Sequence, residues 1–156
     1  MTFTLDTNIL VYAVDVDIGD KHAIALDIVE RAFDADGVLT LQCLGEFFHV
    51  ATRKGRLDAK SAAILVKRFC AVFPVVDANV TTLDQAMDGV SRHGLAFWDA
   101  MLWATARDAG CRLILSEDFQ DGQTLEGVTF LNPFAARNRV LVERALRPRR
   151  GSGVGV

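Results

Sequence analysis

Hydrophobic and polar positions along the chain divide it into short strands and longer helices. Phe3 and Leu5 alternate with Thr2 and Thr4, the two-residue period of a strand, and the run from Asn8 to Val14 reads as a helix. Asp15 to Asp20 is a polar connection, with Asp20 placed to cap a second helix. In that helix Ile24, Ile28 and Val29 recur at helical spacing through Phe33, and Asp34–Gly37 ends it. Val38–Leu41 reads as a second strand. The next helix runs from Leu44 to Arg53, with Leu44, Phe47, Phe48 and Ala51 as its core stripe and Glu46, His49, Val50 and Arg53 on the neighbouring stripe. Gly55 stops it, and Asp58 caps a helix that continues to Val72. Phe73–Val76 is a third strand. Thr81 or Thr82 begins a helix carrying Leu83, Ala86, Met87 and Val90, closed by His93-Gly94. Phe97-Trp98-Asp99 opens another, which ends at Ala109 before Gly110. Leu113-Ile114-Leu115 is unbroken apolar sequence, as expected of a parallel strand buried on both faces. Val128–Leu131 is a last strand after the loop Gln120–Gly127, and Pro133 suits the first turn of a terminal helix reaching Leu146.

Strands that alternate with dominant helices predict a three-layer α/β/α domain with a mostly parallel sheet of four or five strands. Residues 1–146 form one domain without internal repeats or linkers, and residues 147–156 are a basic, glycine-rich tail expected to be disordered.

Composition narrows the function classes. A chain that is 51% hydrophobic and 24% charged has the material for a globular core and is not a disordered segment. No apolar run reaches the roughly 18 residues of a membrane span. The N-terminus lacks a basic stretch followed by an apolar one, so the expected location is the cytoplasm, with no membrane partner. The cysteines, Cys43, Cys70 and Cys111, stand 27 and 41 residues apart, which matches neither zinc-ligand spacing nor a disulfide framework. They are expected to be buried thiols. His22, His49 and His93 form no ligand pair and are expected to be structural or exposed.

Charge is uneven. Residues 137–156 carry six arginines against one glutamate, whereas residues 1–136 carry eleven basic and nineteen acidic side chains. A polyanion binding to this acidic body must be held locally, through metal ions or a basic patch, because the overall field repels phosphate.

Four acidic residues stand out by position. Asp6 and Asp118 each follow a strand that reads as buried, so their side chains emerge at one sheet edge if those strands are parallel and central. Asp99 shares its helix face with Leu102, Trp103 and Ala106, an apolar stripe that faces the core, and no Lys or Arg lies on that stripe to compensate it. Glu46 lies on a helix that the fold can bring to Asp6. Each has a bland alternative: Asp6 and Asp99 as helix caps, Glu46 as a solvated helix residue, Asp118 as a turn residue. Taken together they make a hard-oxygen ligand set for Mg2+ or Mn2+, the chemistry that phosphodiester hydrolysis needs.

These residues resemble a known family. Asp6-Thr7-Asn8 after an N-terminal strand, Glu46 forty residues further on, Phe97-Trp98-Asp99-Ala100 opening a helix, and Ser116-Glu117-Asp118-Phe119-Gln120-Asp121-Gly122 after a buried strand are similar to the PIN domain. Within it the chain is most similar to the VapC-like toxins of type II toxin–antitoxin pairs, and Phe130-Leu131-Asn132-Pro133-Phe134 fits that group. The resemblance implies a metal-dependent endoribonuclease with Asp6, Glu46, Asp99 and Asp118 as catalytic and metal-binding residues. It further implies support by hydrogen bonds from Thr7, Asn8 and Ser116, homodimerisation, and neutralisation by a small antitoxin. Asp121 is a further acidic candidate with a turn as its alternative.

Two basic groups are candidate RNA contacts: Arg53, Lys54 and Arg56 after the Glu46 helix, and Arg137, Arg139, Arg144, Arg147, Arg149 and Arg150 in the terminal region. A solvated basic face is the alternative for each. Trp103 is expected in the core rather than on a base-stacking surface, because it lies on the inward stripe. Three rival functions stay open at this point. An aspartyl-nucleophile phosphatase needs a second Asp two residues after the first, where this chain has Asn8. The others are a PIN-like binding module without catalysis and a PIN nuclease of RNA processing outside toxin–antitoxin systems.

Overall fold

The structure, a computed structural model, describes residues 1–53 and 56–149. In chain order the elements are β1 (Phe3–Leu5), α1 (Thr7–Val14), a 3-10 turn (Val16–Ile18), α2 (Asp20–Asp34), β2 (Gly37–Thr40), α3 (Leu41–Thr52), α4 (Ala59–Val72), β3 (Val75–Val76), α5 (Val80–His93) and α6 (Phe97–Asp108). They continue with β4 (Leu113–Leu115), β5 (Thr124–Leu125), β6 (Val128–Leu131), a second 3-10 turn (Ala136–Asn138) and α7 (Arg139–Ala145). The sheet order is β3-β2-β1-β4-β6-β5, with every neighbouring pair parallel except β5–β6.

The chain runs outward from β1 through β2 to β3, then crosses back to place β4 on the other side of β1. The order therefore reverses between β1 and β4. Open α/β sheets form their binding crevice beyond the carboxyl ends of the strands at such a reversal, because the connections on the two sides diverge there. Phe3 pairs with Leu113 and Leu5 with Leu115, so Asp6 and Ser116 leave adjacent strands in register.

Two cores cover the two sheet faces. Phe3, Leu5, Leu39, Leu113, Leu115 and Leu131 pack against α1, α2, α3, α4 and α7. Val38, Ile114, Val128 and Phe130 pack against α5 and α6. Thr4 points into the second face and stays satisfied by donating to the Val38 carbonyl at 2.9 Å. Asp58 caps α4, and Asn79 with Thr82 forms a reciprocal capping box on α5. Gly94 ends α5 in the left-handed region at φ 67°, a conformation that glycine adopts without a side-chain penalty.

The structure corrects several expectations. The sheet has six strands rather than four or five. The extra strand, β5, lies in the segment read as a loop and pairs antiparallel with β6 through the tight turn Glu126-Gly127, both residues having positive φ. A two-residue strand carries no periodicity, which is why the pattern missed it. Gly19 rather than Asp20 is the N-cap of α2, whose buried stripe is Ala25, Ile28 and Ala32 while Ile24 and Phe33 are exposed. Phe48 is also exposed, and Cys43 takes its place in the buried face of α3. Leu83, Met87 and Val90 are exposed on α5, leaving Thr82, Ala86 and Gly89 as its buried side. The third strand shrinks to Val75–Val76, and the terminal helix begins at Arg139, six residues after Pro133. Cys43 and Cys111 are buried thiols as expected, but Cys70 is exposed. Arg149 donates its backbone N–H to the Asp34 carbonyl and pairs with Asp36, whereas Arg150–Val156 lie outside the described residues.

Gly89 is where α5 meets α6. A Cβ there would lie 2.8 Å from the Trp103 ring, inside van der Waals contact. Gly89→Ala gains about 1 kcal/mol of helix propensity but overpacks a buried aromatic ring at a cost of about 1–3 kcal/mol. The expected result is a net loss of about 1 kcal/mol in urea unfolding, and a variant more stable than wild type would contradict this packing.

Candidate active site

Asp6 stands at the junction of β1 and α1, where it both caps the helix and faces the crevice. Its backbone N–H bonds to the Leu115 carbonyl at 3.0 Å, which fixes it beside β4. One carboxylate oxygen accepts the Thr7 N–H at 2.7 Å and the other accepts the Ser116 hydroxyl at 2.6 Å. The capping alternative for Asp6 is thus correct: its side chain caps α1. Ser116 in turn accepts the Asp118 N–H at 3.1 Å, so the serine holds the direction of the chain through Asp118.

The Thr7 side chain turns to α3 and donates to Glu46 at 2.7 Å. Gln42, one helical turn before Glu46, donates to its other carboxylate oxygen at 2.8 Å and to the Trp98 carbonyl at 3.0 Å. Glu46 is therefore half-buried and fixed, not a solvated helix residue. Asn8 donates to the Asp118 carboxylate at 2.9 Å, a role that uses the position where an aspartyl phosphatase needs its acid. The N-cap of α6 is Ala96 and makes no side-chain capping bond. Asp99 sits in the first turn and is not a cap, which leaves its inward placement without that explanation.

The electrostatics tie the four acids together. Burial pushes the Asp6 carboxyl up to about 6, and the charges of Asp118 and Asp99 add to the rise, although the Ser116 and Thr7 hydrogen bonds oppose it. Burial also raises Asp99, helped by the charges of Asp118 and Glu46. Among the described residues, none of Asp6, Glu46, Asp99 and Asp118 takes part in a salt bridge. Nearby acids behave differently. Glu117 accepts from Tyr12 and Lys21, which hold its carboxyl low against its own burial. Asp121 accepts the Asn132 N–H, the Asn138 amide and the Arg137 guanidinium, so it organises a turn.

Carboxylate oxygens that no Lys or Arg among the described residues neutralises suit a hard divalent ion such as Mg2+ or Mn2+. Among the described residues no three acidic, His or Cys side chains are already drawn into a metal-binding arrangement.

A family profile described as PIN domain matches residues 3–120. The chain belongs to the PIN-domain family. Comparison with curated protein sequences finds no match. Among solved structures, this PIN domain is similar to Mycobacterium tuberculosis VapC20, a sarcin–ricin-loop-cleaving toxin, with TM-score 0.61 and 21% identity over 75% of this chain and 90% of that one. It is also similar to a chain of a toxin–antitoxin complex from Klebsiella pneumoniae, with TM-score 0.62 and 16% identity over 85% of this chain and 98% of that one. A third similarity is to VapBC2 from Rickettsia felis bound to a promoter DNA fragment, with TM-score 0.60 and 13% identity over 83% and 97% of the two chains. At these identities the likeness is one of fold.

The basic candidates lie differently. Arg56 pairs with Asp15 at 2.8 Å, at the end of α1 remote from Asp6. Arg53 is the exposed C-cap of α3, and Lys54 lies outside the described residues. Trp103 is buried as expected, whereas Trp98 is 63% exposed. Sequence reasoning missed Gln42, Tyr12 and Lys21. Gln42 had a weak signal, its i, i+4 relation to Glu46. Lys21 had none, because its partner Glu117 is 96 residues away. No helix among the described residues is long and apolar enough to cross a membrane.

Proposed function

We propose that this PIN domain is a metal-dependent endoribonuclease acting as the toxin of a toxin–antitoxin pair, with Asp6, Glu46, Asp99 and Asp118 as its catalytic and metal-holding residues. The observation that carries the reading is that Asp6, at the end of β1, is buried without a salt-bridge partner among the described residues and is raised to about 6 by burial and by the charges of Asp118 and Asp99, while Asp99 in turn feels Asp118 and Glu46. A protein that needed only a folded core would not keep this arrangement, since burial and like charge both work against it. Bound Mg2+ or Mn2+ would supply Lewis acidity, activating water and offsetting charge on the phosphate. The chain's own residues do the rest. Ser116 and the Thr7 N–H hold Asp6, the Thr7 hydroxyl and Gln42 hold Glu46, and Asn8 holds Asp118. On the same reading the partners are an RNA substrate, a small cognate antitoxin and a second copy of the chain. The solved structures that this fold resembles include a toxin–antitoxin complex, which supports the antitoxin.

The test is incubation with total cellular RNA in Mg2+ or Mn2+, in chelator, and with Asp6→Asn. Discrete fragments that require both the metal and Asp6 support the proposal. Intact RNA throughout, with metal binding verified separately, turns it down in favour of a binding module.

Metal should also stabilise the fold in a pH-dependent way. At pH 7 and a concentration of about one hundred times Kd, stabilisation of about 2.7 kcal/mol follows from mass action. Near pH 4 the Asp6 carboxyl, raised to about 6, is protonated, and the stabilisation should weaken. A thermal scan with and without Mg2+ at the two pH values measures this, and equal melting temperatures at pH 7 would remove the metal site.

A further inference from the structure

Asp118 lies in the stretch Glu117–Asp121, and a cation is pinned on each side of it. On one side Glu117 accepts the Tyr12 hydroxyl and the Lys21 ammonium. The Lys21 Nζ sits 5.2 Å from the Tyr12 ring centre and 5.4 Å from that of Phe134, so two aromatic faces hold it in place. Tyr12 and Lys21 meet on Glu117, the residue next to Asp118, which places Lys21 beside the acidic residues. On the other side Asp121 pairs with Arg137. Phe134 and Arg137 belong to the same turn, which Asp121 organises through Asn132 and Asn138.

Neither cation is used up by its carboxylate. One Asp121 oxygen already accepts both the Asn132 N–H and the Asn138 amide at 2.8 Å, so the turn keeps these bonds without the guanidinium. The Arg137 side chain is 70% exposed and that of Lys21 is 42% exposed, and ion pairs this open to water add little to stability. Residues 1–136 carry eight more acidic than basic side chains, so a polyanion reaching the crevice needs positive charge close to it.

We infer that Lys21 and Arg137 contact backbone phosphates of RNA beside the acidic cluster, with Glu117 and Asp121 pre-positioning them. The inference rests on the nuclease reading for its substrate class. On binding, each cation exchanges a carboxylate for a phosphate oxygen, and arginine can do so through two parallel bonds.

The test measures binding of a short labelled oligouridylate by the full chain as a function of salt, in an Asp6→Asn background with Mg2+ so that the RNA stays intact. Lys21→Met and Arg137→Gln should each reduce the slope of log K against log salt by about 0.7, the value for one single-strand phosphate contact. The double variant should lose about twice that, and Lys21→Arg should restore the wild-type slope. Unchanged slopes, while wild type still cleaves cellular RNA, overturn the inference and leave the nuclease standing. Reduced slopes from a chain that cleaves nothing uphold the phosphate contacts and leave the nuclease reading to fail alone. Melting temperatures guard against a folding artefact: a slope lost only together with stability, and not restored by Lys21→Arg, also overturns the inference.

Discussion

Asp6→Asn should abolish metal-dependent RNA cleavage and, in metal-free buffer at neutral pH, make the protein more stable. The two effects have one cause. Asp6 is 9% exposed, and its carboxyl is raised from 3.8 to about 6. A carboxyl whose folded-state pKa exceeds its unfolded value destabilises the fold when it is ionised. The penalty is absent below the unfolded pKa, grows between the two values, and is complete above about 6. From the shift of Asp6 alone it reaches about 3 kcal/mol at pH 7. An amide has the same shape and no charge, so most of this penalty should vanish in Asp6→Asn. Some is offset, because the neutral amide accepts the Thr7 N–H less strongly and the Ser116 hydroxyl must turn to receive its N–H2 group. A gain of about 1–2 kcal/mol in urea unfolding at pH 7, fading toward pH 4, is the expected net result. Asp99→Asn should also abolish cleavage and should shift stability at pH 7 in the same direction, since burial raises its carboxyl too. A variant that cleaves RNA normally would remove Asp6 from the active site, and one less stable at pH 7 than wild type would show that its hydrogen bonds outweigh its charge.

Trp103→Ala should cost about 3–5 kcal/mol, the range for a large aromatic residue removed from a core. Trp103 is 1% exposed. Its ring fills the space beside Gly89, its indole N–H donates to the Leu125 carbonyl at 3.2 Å, and Arg107 lies over it at 4.6 Å. Truncation opens a cavity between α5 and α6 and also leaves the β5 carbonyl without its donor. Because α6 carries Asp99, RNA cleavage at temperatures near the new melting point should fall with stability. Trp98→Ala is the control: at 63% exposed it should stay within about 0.5 kcal/mol of wild type. Chemical denaturation of both variants decides the matter, and equal stabilities would contradict the buried position of Trp103.

Much of the fold was legible because the signals are local. Capping by Asp58, the glycine stop at Gly94 and the apolar run Leu113–Leu115 each need only a few adjacent residues. The half-buried position of Asp99 was legible too, since Leu102, Trp103 and Ala106 sit on its helix face and are all buried. Amphipathic spacing was less dependable. It gave Phe48 to the core, yet Phe48 is exposed, because periodicity identifies an apolar stripe without showing how much of it another element covers.

The sequence by itself determined most of the elements, though not β5, together with the mostly parallel character of the sheet and the candidate acidic residues. Helix period, caps and apolar runs act over a few residues, and carboxylates declare their chemistry wherever they stand. Only the tertiary structure decided what those acids meet. Thr7 reaches Glu46 across 39 residues, Asn8 reaches Asp118 across 110, and Lys21 reaches Glu117 across 96. The reversal of strand order between β1 and β4 makes these meetings possible, and it depends on which strands pair. Strand pairing is set by packing over the whole chain, because strands of two to four residues are too short to specify their neighbours.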